Sequence, residues 1–168
     1  MKPTLIATLL FCTVAATAQA LPKPDFSGTW IFNPQKSKIE YKNVPVASTF
    51  IIQHQEPAFH LKRTHVYRDG KQDTRDIDLV TDGKHEVVQN EGPYRRVTRM
   101  YWDGDALVLD MKITAADGST GTNVVRYSLS RDRHTMTALE RHEDPDGKVT
   151  NRWVFDRQVS AKEKSAAR

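Results

Sequence analysis

Short runs in which apolar side chains return at every second position dominate the chain between residues 27 and 156. The run at 106–113 is the cleanest: Leu107, Leu109, Met111 and Ile113 alternate with Val108, Asp110 and Lys112, giving one apolar and one mainly polar face. Beyond the first twenty residues no apolar stripe of 3.6-residue period persists for three turns, so long amphipathic helices are not expected. The pattern predicts strands at 27–32, 48–54, 58–67, 72–81, 84–89, 94–102, 106–113, 122–130, 135–142 and 149–156, with a loop and one helical turn beginning at Asn33-Pro34-Gln35-Lys36-Ser37.

Turn chemistry supports the same partition. Five of the eight glycines follow an aspartate, at Gly70, Gly83, Gly104, Gly118 and Gly147. Asp-Gly favours hairpins because both residues tolerate positive φ. Glu91-Gly92-Pro93 and Arg131-Asp132-Arg133 break the longer gaps. Face parity then fixes registers. A three-residue loop Arg68-Asp69-Gly70 pairs Phe59 with Leu79 and Leu61 with Ile77, and the same loop at Pro145-Asp146-Gly147 sets Leu139 opposite Trp153. A two-residue Asp103-Gly104 turn places Met100 across from Leu107 and Thr98 across from Leu109.

A flat sheet of so many strands would leave its apolar face wet and its edges unpaired. The expected fold is therefore all-β: an antiparallel up-and-down meander of about 8–10 strands closed into a barrel, with a two-sheet sandwich as the alternative.

The first twenty residues are of a different kind. Met1 and Lys2 start them, Leu5 to Val14 is mostly apolar, and Ala18-Gln19-Ala20 supplies small residues where a signal peptidase cuts, so residues 1–20 are expected to be a leader. The apolar run is too short to span a bilayer, and stable membrane insertion is not expected. The barrel domain is then expected over 21–160, with a disordered tail at 161–168. Export to the periplasm or medium follows as an expectation. Removing the leader takes away Cys12, the one cysteine, which excludes a disulfide scaffold and a thiolate zinc site. The remaining chain carries 24 basic and 21 acidic residues, largely interleaved. Such a distribution gives no stripe for a phosphate backbone, and the one basic-aromatic cluster (Arg95, Arg96 and Arg99 with Tyr94, Tyr101 and Trp102) reads as a solvated strand face. Nucleic-acid binding is not expected.

Phe26-Ser27-Gly28-Thr29-Trp30 opens the first strand, and Gly28-x-Trp30 there resembles the N-terminal signature of the lipocalin and wider calycin superfamily. Trp30-Ile31-Phe32-Asn33-Pro34 with Ser37 also resembles exported bacterial proteins grouped as lipocalin-like. The resemblance implies that Gly28 permits close backbone approach, that Trp30 plugs the closed end of the barrel, and that a cation covers its ring, with Arg152 and Arg157 as candidates. The usual disulfide and C-terminal helix of lipocalins have no counterpart. Arg99-Met100-Tyr101 has the spacing with which fatty-acid-binding relatives hold a carboxylate, but the pairing turns Met100 inward and its neighbours outward.

Catalytic and metal chemistry find little footing. No two of the six histidines stand at i and i+2, so no single strand offers a metal-ligand pair, and neither a metal nor a cofactor is expected. There is no nucleophile elbow and no phosphate-cradling glycine loop. Asp76 and Asp78 share a face opposite Ile77 and Leu79, as solvated residues do. One constellation stands out. Phe59 and Leu61 share their face with Arg63, His65 and Tyr67, and the neighbouring strand adds Arg75 beside Ile77 and Leu79. That is an apolar floor with a cationic mouth, suited to an amphipathic ligand with an anionic head. The expected lumen is Phe59, Leu61, Ile77, Leu79, Leu107, Leu109, Met111, Val125, Tyr127 and Trp153, with Arg63, His65 and Arg75 near the opening. Binding of a small apolar or amphipathic molecule without covalent chemistry is the leading expectation. An envelope interaction module with a self-filled barrel is the alternative. A barrel isomerase or cyclase using His65 or Tyr67 rests on fold analogy alone.

Overall fold

The computed structural model describes residues 22–158; the leader expected at 1–20 and the tail expected at 161–168 lie outside the described residues. Ten strands follow one another: β1 (Gly28–Phe32), β2 (Ala47–Gln55), β3 (Ala58–Val66), β4 (Gln72–Val80), β5 (Val87–Glu91), β6 (Tyr94–Asp103), β7 (Ala106–Ala115), β8 (Thr120–Leu129), β9 (Thr135–Asp144) and β10 (Gly147–Arg157). All pairings are antiparallel, in the order β4-β3-β2-β1-β10-β9-β8-β7-β6-β5. The meander thus curls until β1 meets β10, and β4 and β5, which end that order, share no ladder. At one end of this seam Asp82 bridges to Tyr101 of β6. At the other, Arg75 of β4 faces Glu91 of β5 across 3.5 Å.

Alternation along each strand builds the interior. Trp30, Phe26, Phe59, Met100, Leu107, Met136 and Phe155 are almost wholly buried at its core. Burial of each large apolar side chain contributes roughly 1.5–3 kcal/mol. Trp30 is satisfied as well as buried, its indole Nε1 donating to the Phe26 carbonyl at 2.9 Å. Arg157, rather than Arg152, covers its ring, with Cζ 4.8 Å from the centroid and Nη2 donating to the Ser27 carbonyl at 2.8 Å. Arg152 instead donates outward to Lys36. Gly28 has a φ of 135°, which is the stronger reason for glycine, since an added Cβ would meet Arg157 only at an ordinary 3.5 Å.

Registers agree with the sequence at one hairpin and differ at two. Phe59 pairs with Leu79 and Leu61 with Ile77 around the Arg68-Asp69-Gly70 loop, as expected. At the β6–β7 hairpin the turn is Gly104-Asp105, so Asp103 pairs with Ala106, Met100 with Leu109 and Thr98 with Met111. This two-residue shift leaves every side chain on its expected face. The β9–β10 hairpin departs further. Its turn is the two residues Pro145-Asp146, because the Asp144 carboxylate accepts from the backbone N–H groups of Asp146 and Gly147 and pairs Asp144 with Gly147. Trp153 therefore faces Ala138, while Leu139 pairs with Arg152 and is exposed. The fifth strand starts at Val87, not 84, since Asp82 caps the backbone of Lys84 and His85 in a turn.

Residues 33–46 hold a 3-10 turn (Pro34–Lys36) and then run beside β10: Lys38 and Arg152 exchange backbone hydrogen bonds of 2.8 Å, and Glu40 N–H donates to the Asn151 side chain at 2.7 Å. This strap brings Tyr41 and Pro45 over the barrel interior.

Candidate functional site: a polar-walled cavity in the barrel

The interior holds a partly open cavity of about 320 Å³. That is at the small end of the range for sites that take small organic ligands, roughly 300–1,000 Å³. Ten of the thirteen residues expected in the lumen line it: Leu61, Arg63, His65, Arg75, Ile77, Leu109, Met111, Val125, Tyr127 and Trp153. Phe59, Leu79 and Leu107 point inward too but are packed into the buried core and do not reach the cavity. The apolar surface is completed by Phe50, Ile113, Ala138 and Phe155.

Two polar walls converge on this space. The first is cationic. Cross-strand pairing sets Arg63 of β3 directly opposite Arg75 of β4, and Arg96 of β6 also lines the cavity. Arg63 is engaged by Asp73 in a short ion pair. Its burial lowers the guanidinium pKa, an effect that Asp73 opposes. Arg96 donates to Glu91 Oε2 at 2.6 Å. Arg75 makes no hydrogen bond among the described residues; its nearest acid is that same Oε2, 3.5 Å from Nη2. Three guanidiniums thus share two carboxylates. Nor is His65 a further charge here. Burial first, and then the field of Arg63, hold its pKa down to about 3, so the ring is neutral at ordinary pH. It lies stacked on Trp153, centroids 5.8 Å apart, with Nδ1 at 2.8 Å from the Ser48 hydroxyl.

The second wall is built around Glu140, whose carboxylate is almost wholly buried. Four donors satisfy it: Tyr41 Oη at 3.1 Å and Asn123 Nδ2 at 3.0 Å on Oε1, Asn151 Nδ2 at 2.9 Å and Trp153 Nε1 at 2.7 Å on Oε2. A buried carboxylate is tolerated when its lone pairs are filled in this way. The Tyr41 and Tyr127 phenols are both pushed above their ordinary range, by burial first and then by the charge of Glu140.

Glu140 and Arg96 are the most consequential of the lining residues that sequence reasoning missed. An odd-length β9–β10 turn placed Leu139 inside and hence Glu140 outside; the actual two-residue turn reverses both. The sequence pattern puts Arg96 on a solvated face with Arg95 and Arg99. The signal against that was present in the alternation, since Arg96 shares parity with Thr98 and Met100, both fully buried. Arg95 is exposed, and Arg99 lies outside in an ion pair with Asp110, which leaves Met100 pointing in.

A ten-stranded antiparallel meander with a fully buried tryptophan on its first strand and a cavity in its interior has the calycin, lipocalin-like fold. Among solved structures, the chain is similar to a secretory abundant heat soluble protein from Ramazzottius varieornatus, with a TM-score of 0.56 and 11% identity over 79% of this chain and 95% of that one. It is also similar to secretory abundant heat soluble protein 4 of the same organism, with a TM-score of 0.55 and 13% identity over 84% of this chain and 100% of that one. The zebrafish ileal bile acid-binding protein in complex with cholic acid gives a TM-score of 0.51 and 13% identity over 79% and 98%. No protein-family model matches the sequence, and no curated protein matches it.

Proposed function

We propose that this protein is an exported, non-catalytic binding protein that carries a small amphipathic molecule with an anionic head in its barrel. The observation that carries the reading is Arg75: a guanidinium on the cavity wall, largely buried, whose hydrogen-bonding capacity is unspent among the described residues. Burying a cation without a hydrogen-bonding anion is costly, so a carboxylate, sulfonate or phosphate arriving at Arg75 gains a charge-assisted bond that no described residue supplies. Leu61, Ile77, Leu109 and Val125 supply the apolar surface for the rest of the molecule. Cholic acid in the zebrafish barrel is a cargo of this general shape. Export rests on the leader-like residues 1–20; Edman sequencing of the protein recovered from its host should find a mature start near Leu21.

The test of binding uses two fluorescent probes that differ in one charged group, 1-anilinonaphthalene-8-sulfonate and the uncharged N-phenyl-1-naphthylamine. Arg75→Ala should weaken the sulfonate by about tenfold or more while changing the neutral probe little. Equal effects on both probes, or a parent protein that takes up neither, would sink the reading.

A further inference from the structure

The unlaced seam between β4 and β5 and the cationic wall meet at one residue, Glu91. It ends β5, and its position has the same parity as Gln89, which lines the cavity. A single oxygen, Oε2, serves both Arg96, at 2.6 Å, and Arg75, at 3.5 Å. Arg75 belongs to β4, which shares no backbone ladder with β5. Two roles therefore fall on one carboxylate. It supplies the negative charge facing Arg75 and Arg96, and it links the two strands across the seam.

We propose that Glu91 is a built-in competitor for the anion site, displaced by the ligand's acid group, and that its displacement unties β5 from β4. This rests on the reading that the cavity takes an anionic amphipath. Its grip on Arg75, unlike its 2.6 Å bond to Arg96, is weak enough to be exchanged. Glu91 holds Arg75 through one oxygen at a long distance, and its side chain is 42% exposed, so water screens the pair. A ligand carboxylate or sulfonate in the drier cavity can instead offer two oxygens to the fork of Arg75. Arg63 is a poorer target, since Asp73 already occupies it. With three guanidiniums against Asp73 and Glu91, an anion that takes the place of Glu91 at Arg75 leaves the same excess of one positive charge, and no proton need move.

Glu91→Gln keeps the shape of the side chain and removes its charge. It should tighten 1-anilinonaphthalene-8-sulfonate about fivefold and leave N-phenyl-1-naphthylamine unchanged. In Glu91→Gln/Arg75→Ala the gain should vanish. Hydrogen exchange gives the seam: saturating sulfonate probe should speed exchange at 87–91 in the parent protein, whereas the neutral probe should not. A parent protein that binds the sulfonate, with Glu91→Gln no tighter and exchange at 87–91 unchanged, overturns the competition and leaves the binding reading standing. A parent that binds neither probe overturns both.

Discussion

A buried carboxylate inside a β-barrel is costly unless something specific holds it, and Glu140 is held by four donors from three parts of the chain: the strap, β8 and two positions of β10. Asn151 and Trp153 are buried, and Tyr41 and Asn123 are half-buried. The hub therefore depends on its acceptor more than on any one donor. Glu140→Gln preserves the volume but turns one acceptor oxygen into an NH2 group that faces donors. At least one of the Trp153, Asn151, Asn123 and Tyr41 hydrogen bonds must be lost, with a donor left unsatisfied at about 1–3 kcal/mol. Urea unfolding should show a loss of about 2–3 kcal/mol relative to the parent. A loss below about 0.5 kcal/mol would mean that the four bonds are not what keeps Glu140 in place. Arg75 behaves in the opposite way, because its one tie to the fold is the long, partly exposed ion pair with Glu91. Arg75→Ala should cost little stability even where it removes binding, and that separation marks a residue kept for a ligand.

Among the elements, the strap at 33–46 is the one whose attachment can be adjusted alone. It is tied to β10 by backbone bonds at Asn33 and Lys38, and its far part leans on the Tyr41 phenol, which meets Glu140 while the ring packs against His142 and Trp153. Tyr41→Phe keeps the packing and removes one bond, worth about 0.5–1.5 kcal/mol. The expected outcome is faster hydrogen exchange at residues 40–46 with exchange in β6 to β8 unaltered; a uniform rise across the barrel would instead make Tyr41 part of the global core. The strap was only faintly legible in the sequence. Asn33-Pro34 announces a loop and Ser37 a turn, but nothing local says that Lys38 finds Arg152 or that Tyr41 reaches a carboxylate on β9, because those partners are more than a hundred or nearly a hundred positions away. The strands were legible because period-2 alternation and Asp-Gly turns are local signals. Register was legible only where turn length was unambiguous. At Arg68-Asp69-Gly70 it was, and Phe59, Leu61, Ile77 and Leu79 fell into place. At Pro145-Asp146-Gly147 two loop lengths compete, and the Asp144 side chain, by capping the turn, selects the shorter. One residue of slip inverts a strand's faces. It therefore hid Glu140, the centre of one wall, while the other wall's Arg63 and Arg75 stood on a hairpin that could be read.

At the scale of the whole barrel, the curled meander buries ionisable side chains away from bulk water, and burial sets how the molecule responds to acid. His65 illustrates this because it is buried against Trp153, Phe50 and Tyr67 and feels Arg63 and Arg75 as repulsive neighbours, with Asp73 the one opposing charge. Its pKa in the folded protein is about 3, below its ordinary value of 6.5. Between those two values the unfolded chain binds the proton and the folded one does not, so stability rises with pH across this window and is lost as pH falls through it. The carboxylates with lowered pKa, such as Glu56, Asp144 and Asp156, lose their contribution mainly below pH 5, because their ordinary values are 4.5 and 3.8. The interval from pH 7 to pH 5 therefore isolates histidine. His65 should account for about 2 kcal/mol of the stability lost there. His65→Asn retains a polar group for Ser48 and removes the titration, and although it shifts stability at pH 7, the difference between the two pH values is what reads the histidine. Urea unfolding of parent and variant at pH 7 and pH 5 should show the parent losing about 2 kcal/mol more than the variant. Equal losses would mean that His65 takes up its proton inside the folded barrel, where the ring would then stand as a fourth cation beside Arg63, Arg75 and Arg96.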